Sequence, residues 1–256
     1  MSRSSNPSVL ASSRAFVRDL TPGWLRTRVR AFLLTRRAQR LRQSAQHQTA
    51  IEDIVERAFT SEYFRPNQIR SEVTELVRAV AQRRPRRVLE IGSQGGGNLF
   101  LLTRAAAADA KVLSIDLNYS PVQMAAYPSF AAPTQTLTCL LADSTAPETI
   151  RRVKEWLGGD RLDFLFIDGD HSLAGVTADF QNYAPLVADG GMIGLHDIVP
   201  DHTTRYGQKT IAVAGDVPVF WNQLKAQYPH WQELIEDPEQ DGAGIGLVPW
   251  TFPRTS

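Results

Sequence analysis

The stretch Asp163–His171, DFLFIDGDH, decides the fold when it is set beside Val88–Gly97, VLEIGSQGGG, upstream. Each is an apolar run that ends in a polar, glycine-containing turn. In an α/β sheet such turns lie at the carboxyl ends of strands, where ligands bind. The glycine turn suits a nucleotide-like cofactor, and the second turn sets Asp168, Asp170 and His171 beside it. Together they point to an enzyme that moves a group from a cofactor to a second substrate.

Around these two turns, strand-like and helix-like segments alternate. RVLEIG reads as a first strand, Asn98–Ala108 as a helix, and KVLSIDL as a second strand ending at Asp116. TLTCLLAD, LDFLFID and GMIGLHD read as the next three strands, separated by helices over Pro147–Leu157 and Leu173–Val187. Strands alternating with helices imply a parallel sheet with right-handed crossovers. The tail differs: PVFWNQLKAQY reads as a helix, and WQELIED and GAGIGLVPW as strands close enough to pair antiparallel. Upstream, Ile51, Ile54, Val55, Ala58 and Phe59 have helical spacing, and Pro66 is expected to open a helix with Ile69, Val73, Leu76, Val77 and Val80 inward. A further helix is expected from Trp24 to about Ala45, with Leu25, Val29, Phe32 and Leu33 on one face. That stripe is expected to pack on the body or on a second subunit, with its arginines solvated; binding of the basic helix to anionic lipid or an acidic carrier is the less favoured reading. Residues 1 to about 20, rich in Ser and Arg, are expected to be poorly ordered. The division expected is a basic, partly helical extension over 1–63 and a catalytic domain over 64–256.

Composition narrows the classes. The chain has 256 residues and is 43% hydrophobic, enough for one full-sized core. Residues 1–50 hold ten of the 28 Lys and Arg and one acid, Asp19, and so carry +9; the remainder holds 18 basic and 26 acidic residues and carries −8. A mildly acidic body is a poor nucleic-acid binder. The single cysteine, Cys139, has no internal disulfide partner and sits in an apolar run. No segment approaches the apolar length of a membrane span, and no secretory signal is evident. A cytoplasmic location is the expectation.

The glycine turn excludes one cofactor chemistry. The dinucleotide pattern GxGxxG needs glycine at position 94, where Gln94 stands, which also counts against an NAD-dependent dehydrogenase. Glu90, in the strand before the turn, tolerates a cationic ligand better than a diphosphate. Gly92, Ser93 and Gly95 are expected to approach the cofactor through the backbone. Asp116 ends the next strand, 24 residues beyond Gly92, where a carboxylate can accept both hydroxyls of a ribose. Leu117 follows it, and Asp143 with Ser144, at the third strand end, is placed for an adenine edge. Any one of these acids could equally cap a helix. Three at successive strand ends after a glycine turn favour a ligand.

At these residues the chain resembles a family. VLEIGSQGGG, VLSIDL, LLADS, FLFIDGDHS and LVADGGMIGLHDI look like the successive motifs of class I S-adenosylmethionine (SAM)-dependent methyltransferases. The IDGDHS and GGMIGLHD pair is similar to the subgroup of macrolide-sugar O-methyltransferases and cephalosporin hydroxylase-like proteins. The resemblance runs from about Phe64 to Trp250. It implies a Rossmann-like, doubly wound, seven-stranded, mostly parallel sheet with an N-terminal helical extension, and SAM as cofactor. The implied reaction is methyl transfer to a hydroxyl oxygen, with a sugar of a natural product or glycan as acceptor.

The chemistry needs a proton acceptor or a cation that lowers the hydroxyl's pKa. Asp168 and Asp197 end neighbouring strands and could share a hard cation such as Mg²⁺. In the sugar O-methyltransferases that the chain resembles, the acid of the DxxH turn binds metal and its histidine is the base; carried over, Asp168 is the ligand and His171 the base. Where the relatives often have a second acid before the later aspartate, this chain has His196, and Ile198 follows Asp197. His196 could ligate a softer metal, replace the base or organise the substrate, or simply be structural. The 118–133 connection, with Tyr119, Met124, Tyr127 and Phe130, could be a lid or a surface helix. The 199–215 stretch, with Asp201, Arg205, Tyr206 and Lys209, is placed to touch an acceptor, whereas His202 has no supporting context. Gln68 and Glu72 could close the cofactor pocket. A metal-independent enzyme acting on a phenol or amine, and a non-catalytic cofactor-binding assembly partner, are the alternatives. The N-terminal helices could join two copies.

Overall fold

A strand's period of two sends adjacent side chains to opposite faces of a sheet. In β1 (Arg87–Ile91), Val88 enters one buried layer, and Leu89 and Ile91 enter the other. The same sorting repeats in β2 (Lys111–Asp116), β4 (Leu162–Ile167) and β5 (Val187–His196), so Leu89 stands level with Leu165, and Leu165 with Ile193. With β3 (Thr136–Leu141), β6 (Gln232–Leu234) and β7 (Ile245–Pro249), the strands form one sheet in the order β3-β2-β1-β4-β5-β7-β6. Strands β1 to β5 are parallel, and β7 runs antiparallel between β5 and β6. This is the Rossmann-like, doubly wound, seven-stranded sheet that the motif order implies. The computed structural model describes residues 22–251, so the expectation for residues 1 to about 20 lies outside the described residues.

Helices cover both faces. One layer holds α1 (Gly23–Ala45), α2 (Ile51–Phe59), α3 (Arg70–Arg83), α4 (Gly97–Ala105) and α5 (Pro121–Ala126). The other holds α6 (Pro147–Leu157), α7 (Leu173–Tyr183) and, after the short α8 (His202–Tyr206), α9 (Val217–Gln227). The order in which strands are added switches from one side to the other between β1 and β4, and a crevice opens outside their carboxyl ends. Ala38, Leu41, Ala45, Val55 and Ala58 lie in the same buried layer as Val88, so the N-terminal helices share the core of the sheet.

Three local expectations change. Pro66 does not open a helix: α3 starts at Arg70 after an extended Ile69, and Pro66 packs against Gly97, where an added Cβ would lie 2.5 Å from the Pro66 nitrogen. Among the described residues, α1 docks on the body not through Leu25, Val29, Phe32 and Leu33, which are exposed, but through Leu34, Ala38, Leu41 and Ala45. The 118–133 connection is no lid: it carries a short surface helix, α5, with its apolar side on the body, where Tyr119, Tyr127 and Phe130 are buried and Tyr127 stacks on Phe130. Among the described residues, no helix is long and apolar enough to cross a membrane.

Candidate active site

The glycine turn is built from backbone. Gly92 has φ +82°, and a Cβ there would lie 1.9 Å from the Asp168 carbonyl oxygen, so β1 and β4 end in contact. Only glycine combines that torsion with that approach. The Asp116 carboxylate braces the turn from β2: its Oδ2 accepts from the backbone N–H groups of Ser93 and Gln94, both at 3.0 Å, and its Oδ1 accepts from Asn118 N at 2.7 Å.

Beyond the strand ends lies a cleft of about 380 Å³, whose lining includes Gly92, Asp116, Leu117, Asp143, Ser144 and Asp168. The structure thus brings together acids from three successive strand ends. Leu117, in this lining, is two-thirds exposed. The Thr145 hydroxyl and backbone N–H, at 2.7 and 2.8 Å, hold the Asp143 carboxyl below its usual range. Ser93, Gly95 and Gln68 border an adjoining recess that reaches Asp168.

Glu90 lies elsewhere than expected. It is fully buried beneath the turn and borders neither recess. Its carboxyl accepts from Ser114 Oγ at 2.8 Å and Asn98 Nδ2 at 3.1 Å. Burial pushes it up to about 8, against those two bonds, with the nearby Asp168 and Asp116 adding to the rise. The network continues through Tyr119, whose hydroxyl meets Ser114 Oγ at 2.8 Å and Ser93 Oγ at 2.6 Å. The Ser93 side chain therefore turns inward, away from the cleft. Alternation along β1 and β2 marks these positions as buried, but the partnership of Glu90, Ser114 and Tyr119 depends on strand register and is invisible in the sequence.

The side-chain cluster sits where β4 and β5 end. Asp168 Oδ1 lies 3.1 Å from His196 Nδ1 and 3.8 Å from His171 Nε2. Asp197 Oδ2 lies 3.1 Å from His196 Nδ1 and 3.3 Å from His171 Nε2. Gln68 Nε2 donates to the other Asp168 oxygen at 2.8 Å. Asp197 holds a left-handed conformation, φ +61°, with its Oδ1 accepting from Ala243 N at 3.2 Å. Burial alone would raise the Asp168 carboxyl, yet the two histidines pull it down to about 2. The Asp168 carboxylate, with Asp197, lifts His171 to about 9 against partial burial. Burial opposes charge on His196, but the same two carboxylates raise it well above the ordinary imidazole value. Two carboxylates and two imidazoles thus share protons in a small volume.

The two histidines differ in how they are held. His171 Nδ1 meets the Val213 carbonyl at 2.6 Å and must donate there, which leaves Nε2 facing the acids. Packing at Gly215 fixes its backbone, since a Cβ there would lie 2.4 Å from the His171 carbonyl oxygen. His196 is buried, faces the acids with Nδ1, and has no partner for Nε2 among the described residues. One atom each from Asp168, His171 and Asp197 falls within 4.8 Å of the others, the arrangement that one cation requires. Two carboxylates and an imidazole suit a hard or borderline divalent ion. The third donor in that set is His171, whereas the sequence offered His196.

Other expected contacts point away. Arg205 and Tyr206 bond to Pro238 and Glu239, and His202 to the Glu239 carbonyl. Asp201 caps α8 and accepts from Ala214 N, and Lys209 is exposed. Glu72 is buried and holds the C-terminal segment through Gly244 N at 3.0 Å and Gln240 Nε2 at 2.7 Å. Asp170 accepts from Ser172 N while bordering the cleft. A larger depression, about 570 Å³, lies between Arg86 and Asp163, away from the glycine turn; its Arg86 and Arg87 pair with Asp109 and Asp160.

Residues 89–198 match a family described as a methyltransferase domain. No curated protein matches the chain. Solved structures similar to it include the O-methyltransferase TomG from Streptomyces achromogenes, involved in tomaymycin synthesis and in complex with SAM, at 17% identity, TM-score 0.54, covering 80% of this chain and 91% of that one. An O-methyltransferase from Bacillus cereus in complex with SAH is similar at 16% identity, TM-score 0.52, covering 86% of this chain and all of that one. MycE, from the mycinamycin biosynthetic pathway and in complex with Mg and SAH, is similar at 16% identity, TM-score 0.50, covering 80% of this chain and 54% of that one. Residues 89–198 are thus similar to a methyltransferase domain, and the strand order is the Rossmann-like fold shared with these solved structures.

Proposed function

We propose that the protein transfers the methyl group of SAM to a hydroxyl oxygen of a small molecule, with a sugar of a natural product or glycan as acceptor. The observation that carries this reading is Asp168: one residue borders both the cofactor cleft and the His171–Asp197 cluster, so donor and acceptor sites meet there. Asp116 and Leu117 would take the ribose and one face of the adenine, and Asp143 with Ser144 its edge. Gly92 and Gly95 let the backbone approach the amino-acid end. As the acceptor oxygen bonds to the methyl carbon, the carbon–sulfur bond breaks, SAH leaves, and the hydroxyl proton must go to a base.

Asp168, His171 and Asp197 would hold a divalent cation, with Mg²⁺ the expected ion; when bound, it lowers the pKa of a hydroxyl beside it. His196 and Gln68 would keep Asp168 aimed. Where His171 Nε2 is a ligand the hydroxyl proton would go to water, and where the two acids alone hold the cation His171 Nε2 would take it. The metal-independent reading has one specific support: Val213 holds the imidazole so that Nε2 alone faces the site. In that reading His171 accepts a proton only after losing its own, because the paired carboxylates keep it charged at neutral pH.

Calorimetry with SAM and SAH tests the cofactor assignment, and radiolabelled transfer to a panel of sugar and phenol acceptors tests the reaction. Micromolar SAH binding that Asp116→Ala weakens supports the reading. Absence of any heat or melting shift with either nucleoside would end it. Turnover that a chelator leaves untouched moves the base role to His171.

A further inference from the structure

Helix α1 carries two apolar stripes. Leu34, Ala38, Leu41 and Ala45, spaced i, i+4, i+7 and i+11, face the body. Leu25, Val29, Phe32 and Leu33, spaced i, i+4, i+7 and i+8, fall on the opposite side at 3.6 residues per turn. These four are 39 to 62% exposed, and Trp24 beside them is 62% exposed. The same helix contains seven arginines and no acidic residue. Arg28 rests over the Trp24 ring at 5.6 Å and Arg36 over Phe32 at 5.7 Å, so charge lies alongside the apolar stripe. The docked end is anchored by Arg42, which donates to the Ala131 carbonyl at 2.8 Å.

We propose that this outer face of α1 lies on an anionic membrane surface. An amphipathic helix with aromatic and aliphatic residues on one face and arginines along its flanks buries the former at the headgroup boundary and pairs the latter with lipid phosphates. A second copy of the chain fits this face less well. Pairing the stripe with itself would bring two acid-free, sevenfold-arginine helices together, with like charges adjacent. The body, at −8, would face away from an anionic bilayer while α1 faces toward it. The inference is independent of the methyl-transfer chemistry, since no residue of the cleft takes part.

Vesicle sedimentation of the full chain tests it. The protein is expected to pellet with phosphatidylcholine vesicles containing about 30% phosphatidylserine and to remain in solution with phosphatidylcholine alone. Raising salt to about 0.5 M should weaken binding about tenfold. Val29→Ser with Phe32→Ser should weaken it at least tenfold, and Arg28→Glu with Arg36→Glu further still. Both double variants alter exposed side chains and should keep the wild-type melting temperature, so loss of binding would be a loss of surface. Three results would overturn the proposal: no pelleting on anionic vesicles, pelleting that both double variants retain, or a dimer in sedimentation velocity that the Val29→Ser, Phe32→Ser variant dissociates.

Discussion

The turn after β1 and the turns after β4 and β5 border one crevice, yet they are made of opposite materials. The first is a backbone device. Its torsions at Gly92 and Gly96 are left-handed, its amides are tied to Asp116, and a buried carboxyl, Glu90, lies beneath it. The second is a side-chain device in which Asp168 and Asp197 pair with His171 and His196, and His196 Nε2 has no partner among the described residues. A backbone turn fixes where a ligand lies and resists change of shape. A cluster of paired acids and imidazoles can exchange protons or accept a cation. A group-transfer enzyme needs one of each.

The contrast can be broken from the first side. Gly92→Val is expected to cost about 4 kcal/mol or more, because a side chain must displace the Asp168 carbonyl at a left-handed torsion. Chemical denaturation should show it as a lower midpoint, together with loss of SAH binding. A variant that melts like the wild type would mean the turn is soft.

From the second side, Asp168→Asn should lower turnover by about a hundredfold to ten-thousandfold while leaving SAH affinity within a few fold, because it removes charge from the cluster and keeps the shape. Equal losses in both would merge the two devices into one. Asp116→Ala should do the reverse, weakening SAH about tenfold to a hundredfold by calorimetry, with a smaller change in turnover at saturating SAM.

The subtlest expected difference is in pH dependence. Glu90 is raised to about 8 in the folded chain from an ordinary value of 4.5, so the native state holds a proton that the unfolded state gives up between those limits. Stability from this group is therefore present below pH 4.5 and is lost as pH rises toward 8. Glu90→Gln, which keeps a partner for Ser114, should flatten that decline in urea titrations run across the interval. Parallel curves for variant and wild type would show that the acid under the turn is ionised throughout.

Much of the fold was legible because alternation and apolar runs are local. The strands, the antiparallel tail and the helices over Ile51–Phe59 and Pro147–Leu157 follow from short windows. The faces of α1 were not. Both of its stripes are apolar, and the eye goes to large residues, whereas the stripe that docks is built on Ala38 and Ala45, whose small side chains allow close approach. The glycine turn is legible as a turn, but the burial of Glu90 beneath it is not, because its bonds to Ser114 and Asn98 arise from register and from the helix that follows. Asp168, His171 and Asp197 were visible as chemistry-bearing residues. Which nitrogen His171 turns toward the acids depends on Val213, 42 positions away, and no spacing rule reaches that far.

The return strand β7 has a consequence for the order in which the molecule can come to life. Ala243 secures Asp197, and Gly244 with Gln240 secures Glu72, so the wall behind the acids arrives with a segment made long after β1 and β4. A growing chain still held at the ribosome can set its glycine turn and its parallel strands before that wall exists. Readiness to bind the donor would precede competence to use it, and the last hairpin would act as the latch that separates the two.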